Sequence, residues 1–213
     1  MSLTRRLALL KFANQNNSWI IEDDYDSEFR YRGRPLPALS ALNNSGRVLY
    51  VGTFSKSLSA AIRVGYLVVP HGLVDAFAKA GTLLGNSAST VVEHALSRYM
   101  GEGRFVEHVR KMRRVYRGRR DILFGCLNEF CSEFLEPQVT DAGMHIVAWL
   151  KNGLDDNRVH QALLDDGIES LPLSAYCMGP PKRRAIVLGF SCAVERRIPD
   201  LVKRMSGVLQ RIT

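Results

Sequence analysis

The sequence lacks the features that mark several large classes of protein. It holds no uninterrupted apolar run of about 18 residues, so it offers no membrane-spanning segment. Its N-terminus carries two arginines and a short apolar run but no small-residue cleavage site, which argues against a signal peptide. It also has no internal repeat and no low-complexity tract. These absences predict a globular protein of the cytoplasm.

Cysteine and histidine are both sparse, with four and five residues respectively. The cysteines form no CxxC pair, and no histidine lies at zinc-finger spacing from them. Free thiols in a reducing compartment are therefore expected, rather than disulfides or a zinc site. The scattered histidines argue against metal catalysis. The cysteines are Cys126, Cys131, Cys177 and Cys192.

The composition is that of a folded protein with room for one or two domains. Of the 213 residues, 46% are hydrophobic and 23% are charged, which excludes wholesale disorder. The chain has 29 basic and 21 acidic residues, so its net charge is +8. This excess allows an anionic ligand or partner without naming one.

Apolar runs separated by other elements dominate the first half of the chain. Three runs predict buried strands, and together they favour an α/β protein whose sheet is covered on both faces. Amphipathic spacing predicts four helices, the first of them capped by Ser2, and NNSG at 43–46 predicts a turn. The predicted strands are residues 19–22, 47–52 and 64–70. The predicted helices are residues 3–14, 72–84, 88–100 and 104–128.

From about residue 130 the pattern changes to that of a smaller α+β unit. Residues 136–150 predict two strands around a turn, and residues 157–166 predict a helix that ends at Gly167. A further strand is expected over 184–191 and a closing helix over 194–212. The predicted organisation is a large-domain part (1–100), a bridging helix (101–128) and a small C-terminal domain (129–213).

The bridging helix carries seven basic side chains in the eleven positions from Arg110 to Arg120. Such a patch attracts phosphates, so direct nucleic-acid binding is one interpretation. A solvated face on a long helix explains the same residues.

The most distinctive local feature is Gly52-Thr53-Phe54-Ser55-Lys56, which directly follows the second strand. A lysine in this position can simply be solvated. Hydroxyls and turn amides at a strand end can, however, hold a phosphate. A partly desolvated lysine beside them can form a Schiff base with an aldehyde, and Arg63 can add a second charge to the phosphate.

The first strand ends in the acidic cluster Glu22-Asp23-Asp24-Tyr25-Asp26. Such acids can be helix caps or solvated loop residues. In an open α/β sheet, however, ligands bind outside the carboxyl ends of strands. A carboxylate there can keep a pyridine nitrogen protonated, and a nearby tyrosine can hydrogen-bond the phenolic oxygen of the ring.

Arg184 opens the last predicted strand, RAIVLGFS. A lone arginine at a strand start is usually a surface charge. If the small domain closes over a cofactor, the guanidinium can instead bind a substrate carboxylate through two parallel hydrogen bonds.

Four blocks of the sequence closely resemble the effector domain of MocR-type transcriptional regulators, a branch of the GntR family. That domain is related to fold-type-I, pyridoxal-phosphate-dependent aminotransferases. The resemblance covers essentially the whole chain and implies an α/β fold, with part of the large-domain sheet followed by the small domain. It also implies pyridoxal 5'-phosphate as the cofactor. The blocks are WIIEDDYDSEFRYRGRPLPAL, RVLYVGTFSKSLSAAIRVGYLVVP, EHVRKMRRVYRGRRDIL and IVLGFS.

The resemblance assigns roles around the pyridine ring. Lys56 matches the Schiff-base lysine, Asp23 the acid that faces the ring nitrogen, and Tyr25 the tyrosine near the ring oxygen. Ordinary aminotransferases space the last two as D-x-x-Y, whereas this chain has D-x-Y, as the regulators do. Asp24 is an alternative to Asp23, although adjacent strand residues point to opposite faces.

The resemblance also assigns contacts to anionic groups. Thr53 and Ser55 match phosphate contacts, and Arg63 matches the phosphate-binding arginine. Arg184 matches the arginine that binds the substrate carboxylate, with the adjacent Arg183 as an alternative.

Part of the family's pattern is absent from the chain. The winged helix-turn-helix is missing, and so is the first half of the aminotransferase domain with its phosphate loop, stacking aromatic residue and asparagine. A C-terminal fragment with an open strand edge and exposed apolar surface is expected. DNA binding would then need the missing winged-helix domain. The expected effector is pyridoxal phosphate or an amino compound, and the expected assembly is a homodimer.

The leading hypothesis is therefore an effector domain, as a fragment, of a MocR-type regulator. One alternative is a catalytic amino-acid aminotransferase that uses Lys56 for proton transfer. Another is a truncated product without activity. The D-x-Y spacing and the MRRVYRGRR block favour the regulator, whereas turnover of an amino acid with 2-oxoglutarate would favour the enzyme.

Overall fold

The computed structural model describes residues 1–42, 46–85 and 88–213. Residues 43–45 of the predicted turn lie outside these ranges. Within the described ranges, no helix is both long and apolar enough to cross a membrane.

The described chain divides into two compact units. The first comprises Met1–Glu28 and Gly33–Arg110, and the second comprises Phe29–Arg32 and Lys111–Thr213. The division therefore falls within the helix that the sequence predicts as a separate bridging part. A four-residue segment near the start of the chain also belongs to the second unit.

The first unit contains the three predicted strands and the first three predicted helices. Ser2 caps the first helix, because its side chain accepts a hydrogen bond from the N–H of Arg5 (3.4 Å), as predicted. Two four-residue helices were not predicted, since they are too short to show helical periodicity. The helices are α1 (Leu3–Gln15), α2 (Leu39–Leu42), α3 (Phe54–Ser57), α4 (Val74–Leu83) and α5 (Thr90–Gly101). The strands are β1 (Ile20–Asp24), β2 (Val48–Thr53) and β3 (Gly65–Val68).

The sheet of the first unit has the order β1-β2-β3. Strand β1 runs parallel to β2, and β3 runs antiparallel to it. The prediction of a sheet covered on both faces is wrong for this chain. Ile21 on β1 is 69% exposed, and all four residues of β3 are exposed. An apolar run identifies a strand, but it does not specify which element covers it. The apolar surface that the sequence predicts to be exposed is found on β1 and β3.

The second unit is an antiparallel sheet packed with three helices. Its strands are β4 (Leu135–Pro137), β5 (His145–Leu150), β6 (Leu171–Pro172) and β7 (Ala185–Gly189). Their order in the sheet is β4-β5-β7-β6. The predicted strand pair and closing helix are confirmed, and Gly167 ends its helix with φ 73°. Strand β6 was missed because it has two residues. The helices are α6 (Arg104–Phe130, whose first residues belong to the first unit), α7 (Asp156–Asp165) and α8 (Ile198–Ile212).

Helix α8 shows how the sequence builds the core of the second unit. Its buried residues include Ile198, Val202 and Met205, which lie at helical spacing on one face. They belong to the same apolar cluster as Ile146 of β5 and Ile186 of β7, both of which are fully buried.

The segment Phe29–Arg32 is part of this second core, although it follows the acidic cluster of the first unit. Phe29 is fully buried and meets the ring of Tyr116 edge-on, with 4.9 Å between ring centroids. The N–H of Tyr31 donates to the carbonyl of Asp141 (2.7 Å). The hydroxyl of Tyr31 donates to the carbonyl of Gly143 (2.7 Å). The chain is thus anchored in the second unit a few residues after the candidate site.

Replacing Phe29 by alanine is expected to destabilise the second unit. Loss of a fully buried phenylalanine typically costs about 3–5 kcal/mol, since a cavity remains where the ring was. Phe29→Leu, which keeps most of the volume, should cost less. Urea unfolding of both variants measures the difference, and equal losses would show that the ring is not packed as described.

Candidate functional site

The register of β1 and β2 brings two candidate segments to one edge of the sheet. Asp23 lies opposite Val51, and Asp24 lies opposite Gly52. Because the strands are parallel, both carboxyl ends face the same edge. Lys56 follows the end of β2 within α3. The acidic cluster and the lysine therefore leave neighbouring strands in the same direction.

Alternation along β1 separates its three acids between two faces. Glu22 and Asp24 share a face with their register partners Tyr50 and Gly52, whereas Asp23 points to the opposite face. The three carboxylates consequently meet different surroundings.

Glu22 is a structural acid. Its carboxylate accepts hydrogen bonds from the N–H groups of Leu39 (2.8 Å) and Ser40 (3.1 Å), at the start of α2. It also pairs with the guanidinium of Arg6 at 3.2 Å, and both side chains are mostly buried. Arg6 donates further to the carbonyl of Pro37 (3.1 Å). Glu22 therefore ties α1, β1 and α2 together, which is the capping role that the sequence left open for an acid here.

Asp24 is also engaged by the fold. One carboxylate oxygen accepts from the Tyr50 hydroxyl (2.8 Å), and the other accepts from the N–H of Ser27 (3.2 Å). Burial, followed by the hydrogen bond to Asp24, raises the pKa of Tyr50 far above its ordinary value. Tyr50 thus remains a protonated donor to Asp24.

Asp23 differs from both neighbours. Its side chain is exposed, and its carboxylate has no hydrogen-bond or ion-pair partner among residues 1–42, 46–85 and 88–213. Tyr25, two residues later, is exposed as well, and it interacts with another part of the chain. Of the three acids on β1, Asp23 alone has a carboxylate available to a ligand.

Thr53 ends β2 and starts α3. Its φ and ψ of −140° and 144° are those of an extended residue, and its hydroxyl oxygen accepts from the N–H of Ser55 (3.1 Å). The hydroxyl proton of Thr53 is not used in that bond and can be donated to a ligand. Lys56 is exposed and has no partner in the described chain. Ser55, which lies between Thr53 and Lys56 in the sequence, is half-buried.

Arg63 lies in a loop that returns to the start of α3. The N–H of Phe54 donates to the carbonyl of Val64 (3.1 Å), and Thr53 pairs with Gly65 in the sheet. Arg63 itself adopts the left-handed region, with φ 53° and ψ 35°. A non-glycine residue pays of order 1 kcal/mol or more for this conformation, and such outliers cluster at functional sites. Its side chain is exposed and has no partner in the described ranges.

Arg184 lies in the second unit, directly before β7. A single nitrogen of its guanidinium, Nη1, pairs with Asp155 (2.8 Å) and Asp156 (2.7 Å). The other nitrogens keep their donors, so its predicted role in binding a carboxylate stays a prediction. The alternative, Arg183, pairs with Glu136 and lies over the ring of Trp149 at 4.9 Å.

Asp156 is the buried partner in this cluster. Burial on its own would raise the pKa of Asp156, but hydrogen bonds from the N–H of Ser174 (2.8 Å) and from Arg184 outweigh it, and the pKa lies below the ordinary 3.8. Because the folded state has the lower pKa, this carboxylate stabilises the fold above about pH 4 and loses its contribution as the pH falls further.

Asp156→Asn is therefore expected to cost about 2 kcal/mol of unfolding free energy at pH 7, since it removes a charge-assisted hydrogen bond. The difference from the unsubstituted protein should shrink below pH 4. Asp155→Asn is the matched control, because asparagine caps α7 as well as aspartate does. Urea unfolding at both pH values measures the effect, and a loss that does not depend on pH would contradict this account.

The basic helix α6 uses several of its arginines inside the second unit. Arg117 donates to the carbonyl of Tyr31 (2.5 Å), and Arg119 donates to the carbonyl of Ser191. Arg120 is buried and donates to Thr140 (2.8 Å). These contacts reduce the positive surface that the nucleic-acid interpretation requires, and they show that the face is not simply solvated.

Sequence reasoning missed the aromatic cluster behind the acids. The ring of Tyr66 covers Gly52 so closely that a Cβ atom at position 52 would overlap it. The rings of Tyr50 and Tyr66 are 6.1 Å apart, and Phe54 lies 5.4 Å from Tyr66. A glycine within an otherwise β-branched and aromatic strand is the one signal that could have revealed this close approach.

Comparison with known proteins supports the resemblance. The chain is 37% identical over 191 residues to the probable rhizopine catabolism regulatory protein MocR of Rhizobium meliloti. This match covers 90% of this chain and 39% of that protein. It is 34% identical over 186 residues to the pyridoxine biosynthesis transcriptional regulator PdxR of Corynebacterium glutamicum, covering 87% and 40%. The chain thus spans about two fifths of the length of these regulators.

A solved structure shows the same fold. The kynurenine aminotransferase of Pyrococcus horikoshii, in complex with PMP, matches with a TM-score of 0.89 and 28% identity, over 100% of this chain and 52% of that one. The predicted fold class, part of a fold-type-I pyridoxal-phosphate-dependent transferase, is confirmed. The predicted cofactor, pyridoxal 5'-phosphate, is confirmed for the family. The sequence model of the family "Aminotransferase class I and II" matches residues 2–184 of this chain. The chain therefore belongs to the aminotransferase class I and II family, and its relatives include regulators of the MocR type.

Proposed function

We propose that this chain is the aminotransferase-like effector part of a MocR-type transcriptional regulator, and that the carboxyl edge of β1 and β2 holds pyridoxal phosphate. The observation that carries the proposal is the difference in hydrogen-bond partners among the three acids of β1. Glu22 and Asp24 are engaged by the fold, whereas Asp23 is unpartnered on the strand beside the one that leads to Lys56.

The donor set at this edge fits the chemistry of the cofactor. The Lys56 amine would hold the aldehyde carbon, and the Asp23 carboxylate would keep a proton on the pyridine nitrogen. Tyr25 would donate a hydrogen bond to the phenolic oxygen of the ring. When bound, pyridoxal phosphate would act as an electron sink for the amino compound attached to it.

The phosphate would be held at the loop between β2 and β3. The free hydroxyl proton of Thr53, the Ser55 hydroxyl and the Arg63 guanidinium provide the donors. The hydrogen bond from Phe54 to Val64 closes the loop that carries Ser55 and Arg63, and Thr53 pairs with Gly65 in the sheet, which supports a preformed anion site.

Regulation is favoured over catalysis by the relatives with the higher identities. MocR and PdxR are both regulators, and this chain shares the D-x-Y spacing expected of that branch. The resemblance further suggests a cytoplasmic homodimer that binds DNA through a winged-helix domain. A catalytic aminotransferase is the second candidate, because solved structures that match this chain are aminotransferases.

DNA binding and turnover by the complete gene product separate these functions. Fluorescence anisotropy with labelled DNA from the upstream region of its own gene should show an affinity that changes when pyridoxal phosphate or an amino compound is added. Incubation of amino acids with 2-oxoglutarate should yield no glutamate. Steady formation of glutamate would favour the enzyme, and a protein that binds neither cofactor nor DNA would be an inert product.

A further inference from the structure

We propose that Asp24 and Tyr50 form a positioning pair that fixes the orientation of Asp23 and Tyr25, the two residues assigned to the cofactor ring. This inference rests on the proposed function and deepens it. Neither member of the pair is assigned a contact with the cofactor. Both act through the backbone at the end of β1.

Asp24 has the right place in the chain for this role. It lies between Asp23 and Tyr25, and its two carboxylate oxygens are bound in different directions. One accepts from the Tyr50 hydroxyl on β2 (2.8 Å), and the other accepts from the N–H of Ser27 in the turn beyond Tyr25 (3.2 Å). The side chain therefore links the strand end both to its neighbouring strand and to the turn that follows it.

Because side chains alternate along a strand, holding Asp24 in place also sets the orientation of Asp23. With Asp24 held on the face of Tyr50 and Gly52, Asp23 must point to the opposite face, where its carboxylate is exposed. A slip of one residue at this strand end would exchange the two acids. The cross-strand hydrogen bond opposes that slip at a position where β1 is the edge of the described sheet.

Tyr50 is itself held firmly. The ring of Tyr66 lies 6.1 Å from the Tyr50 ring, and it covers Gly52, which is directly opposite Asp24 in the register. Burial keeps the Tyr50 phenol protonated. The donor to Asp24 is consequently fixed in place before any ligand binds, which is the property a positioning group requires.

The test compares Tyr50→Phe with Tyr99→Phe in the complete gene product. Each variant removes one phenolic hydroxyl from the first unit, but the Tyr99 hydroxyl has no hydrogen bond in the part of the chain that the structure describes. Tyr50→Phe should weaken pyridoxal phosphate binding by about 3–10-fold, the scale of one hydrogen bond to a charged group acting through a neighbour. It should also shift the absorbance maximum of the bound cofactor in the same direction as Asp23→Asn. Tyr99→Phe should do neither.

A double substitution shows whether Tyr50 acts through Asp23. In an Asp23→Asn background, adding Tyr50→Phe should change the affinity by less than about twofold, because the group being positioned is already gone. Asp24→Asn provides a second test with the ring of Tyr50 intact, and its absorbance should shift in the same direction.

The outcomes are distinct. If borohydride leaves a pyridoxyl group on Lys56 of the unsubstituted protein, and Tyr50→Phe and Asp24→Asn keep its affinity and absorbance, the positioning role is wrong and the proposed function stands. Full additivity of Tyr50→Phe with Asp23→Asn would also overturn the role. Absence of any label on the unsubstituted protein would overturn the proposed function and this inference together.

Discussion

Replacing Lys56 by alanine should abolish covalent incorporation of pyridoxal phosphate. The side chain is exposed and unpartnered in the described chain, and it lies where β2 ends beside β1. The resemblance assigns the Schiff-base position to Lys56 and to no other lysine. Its removal would therefore leave the aldehyde without an amine to bind. Borohydride reduction followed by peptide mass mapping measures the pyridoxyl group directly, and the absorbance band of the lysine-bound cofactor should disappear with it.

Lys79→Ala is the matched control for this experiment. Lys79 is an exposed lysine of the first unit on α4, outside the candidate site. That variant should incorporate as much cofactor as the unsubstituted protein. Undiminished labelling of Lys56→Ala would mean that the cofactor is attached elsewhere.

Asp23→Ala should produce the second large effect, a loss of about 10–100-fold in affinity for pyridoxal phosphate. A charge-assisted hydrogen bond to the ring nitrogen is worth about 1.5–3 kcal/mol, and each 1.4 kcal/mol corresponds to tenfold in affinity. Fluorescence or absorbance titration with the cofactor measures this loss.

Asp24→Ala tests the choice between the two adjacent aspartates. Its carboxylate is bound to Tyr50 and Ser27, so its removal should weaken cofactor binding by less than tenfold, through the position of its neighbours. A larger loss of affinity and absorbance in Asp24→Ala than in Asp23→Ala would reverse the assignment.

The choice of Asp23 illustrates what the sequence can predict. Strand alternation alone states that Asp23 and Asp24 point to opposite faces. Which face carries the ligand depends on the register with β2, and on Tyr50, which lies 26 residues away. No local pattern contains that pairing, so the structural role of Asp24 could not be predicted.

The strands and the longer helices were predictable because their apolar periodicity is local. The four-residue α3 was not, and neither was the capping bond from Thr53 that starts it. The segment Phe29–Arg32 is the clearest limit. Its burial in the second unit arises from contacts with residues more than 80 positions later, such as Gly143 and Arg117.

Arginine patterns were also ambiguous in the sequence. A solvated and a buried guanidinium look the same in a basic stretch, yet Arg120 is buried and bonded to a backbone carbonyl. Arg184 similarly stands beside two acids, Asp155 and Asp156, that are distant in sequence. Only the fold reveals which charges are already paired.

A crystal structure of the complete gene product with pyridoxal phosphate tests the central claim most directly. The account predicts one cofactor bonded through its aldehyde carbon to Lys56 Nζ, with a carboxylate oxygen of Asp23 within about 3 Å of the pyridine nitrogen. A cofactor attached to another lysine, or a ring nitrogen facing Asp24 instead, would contradict it.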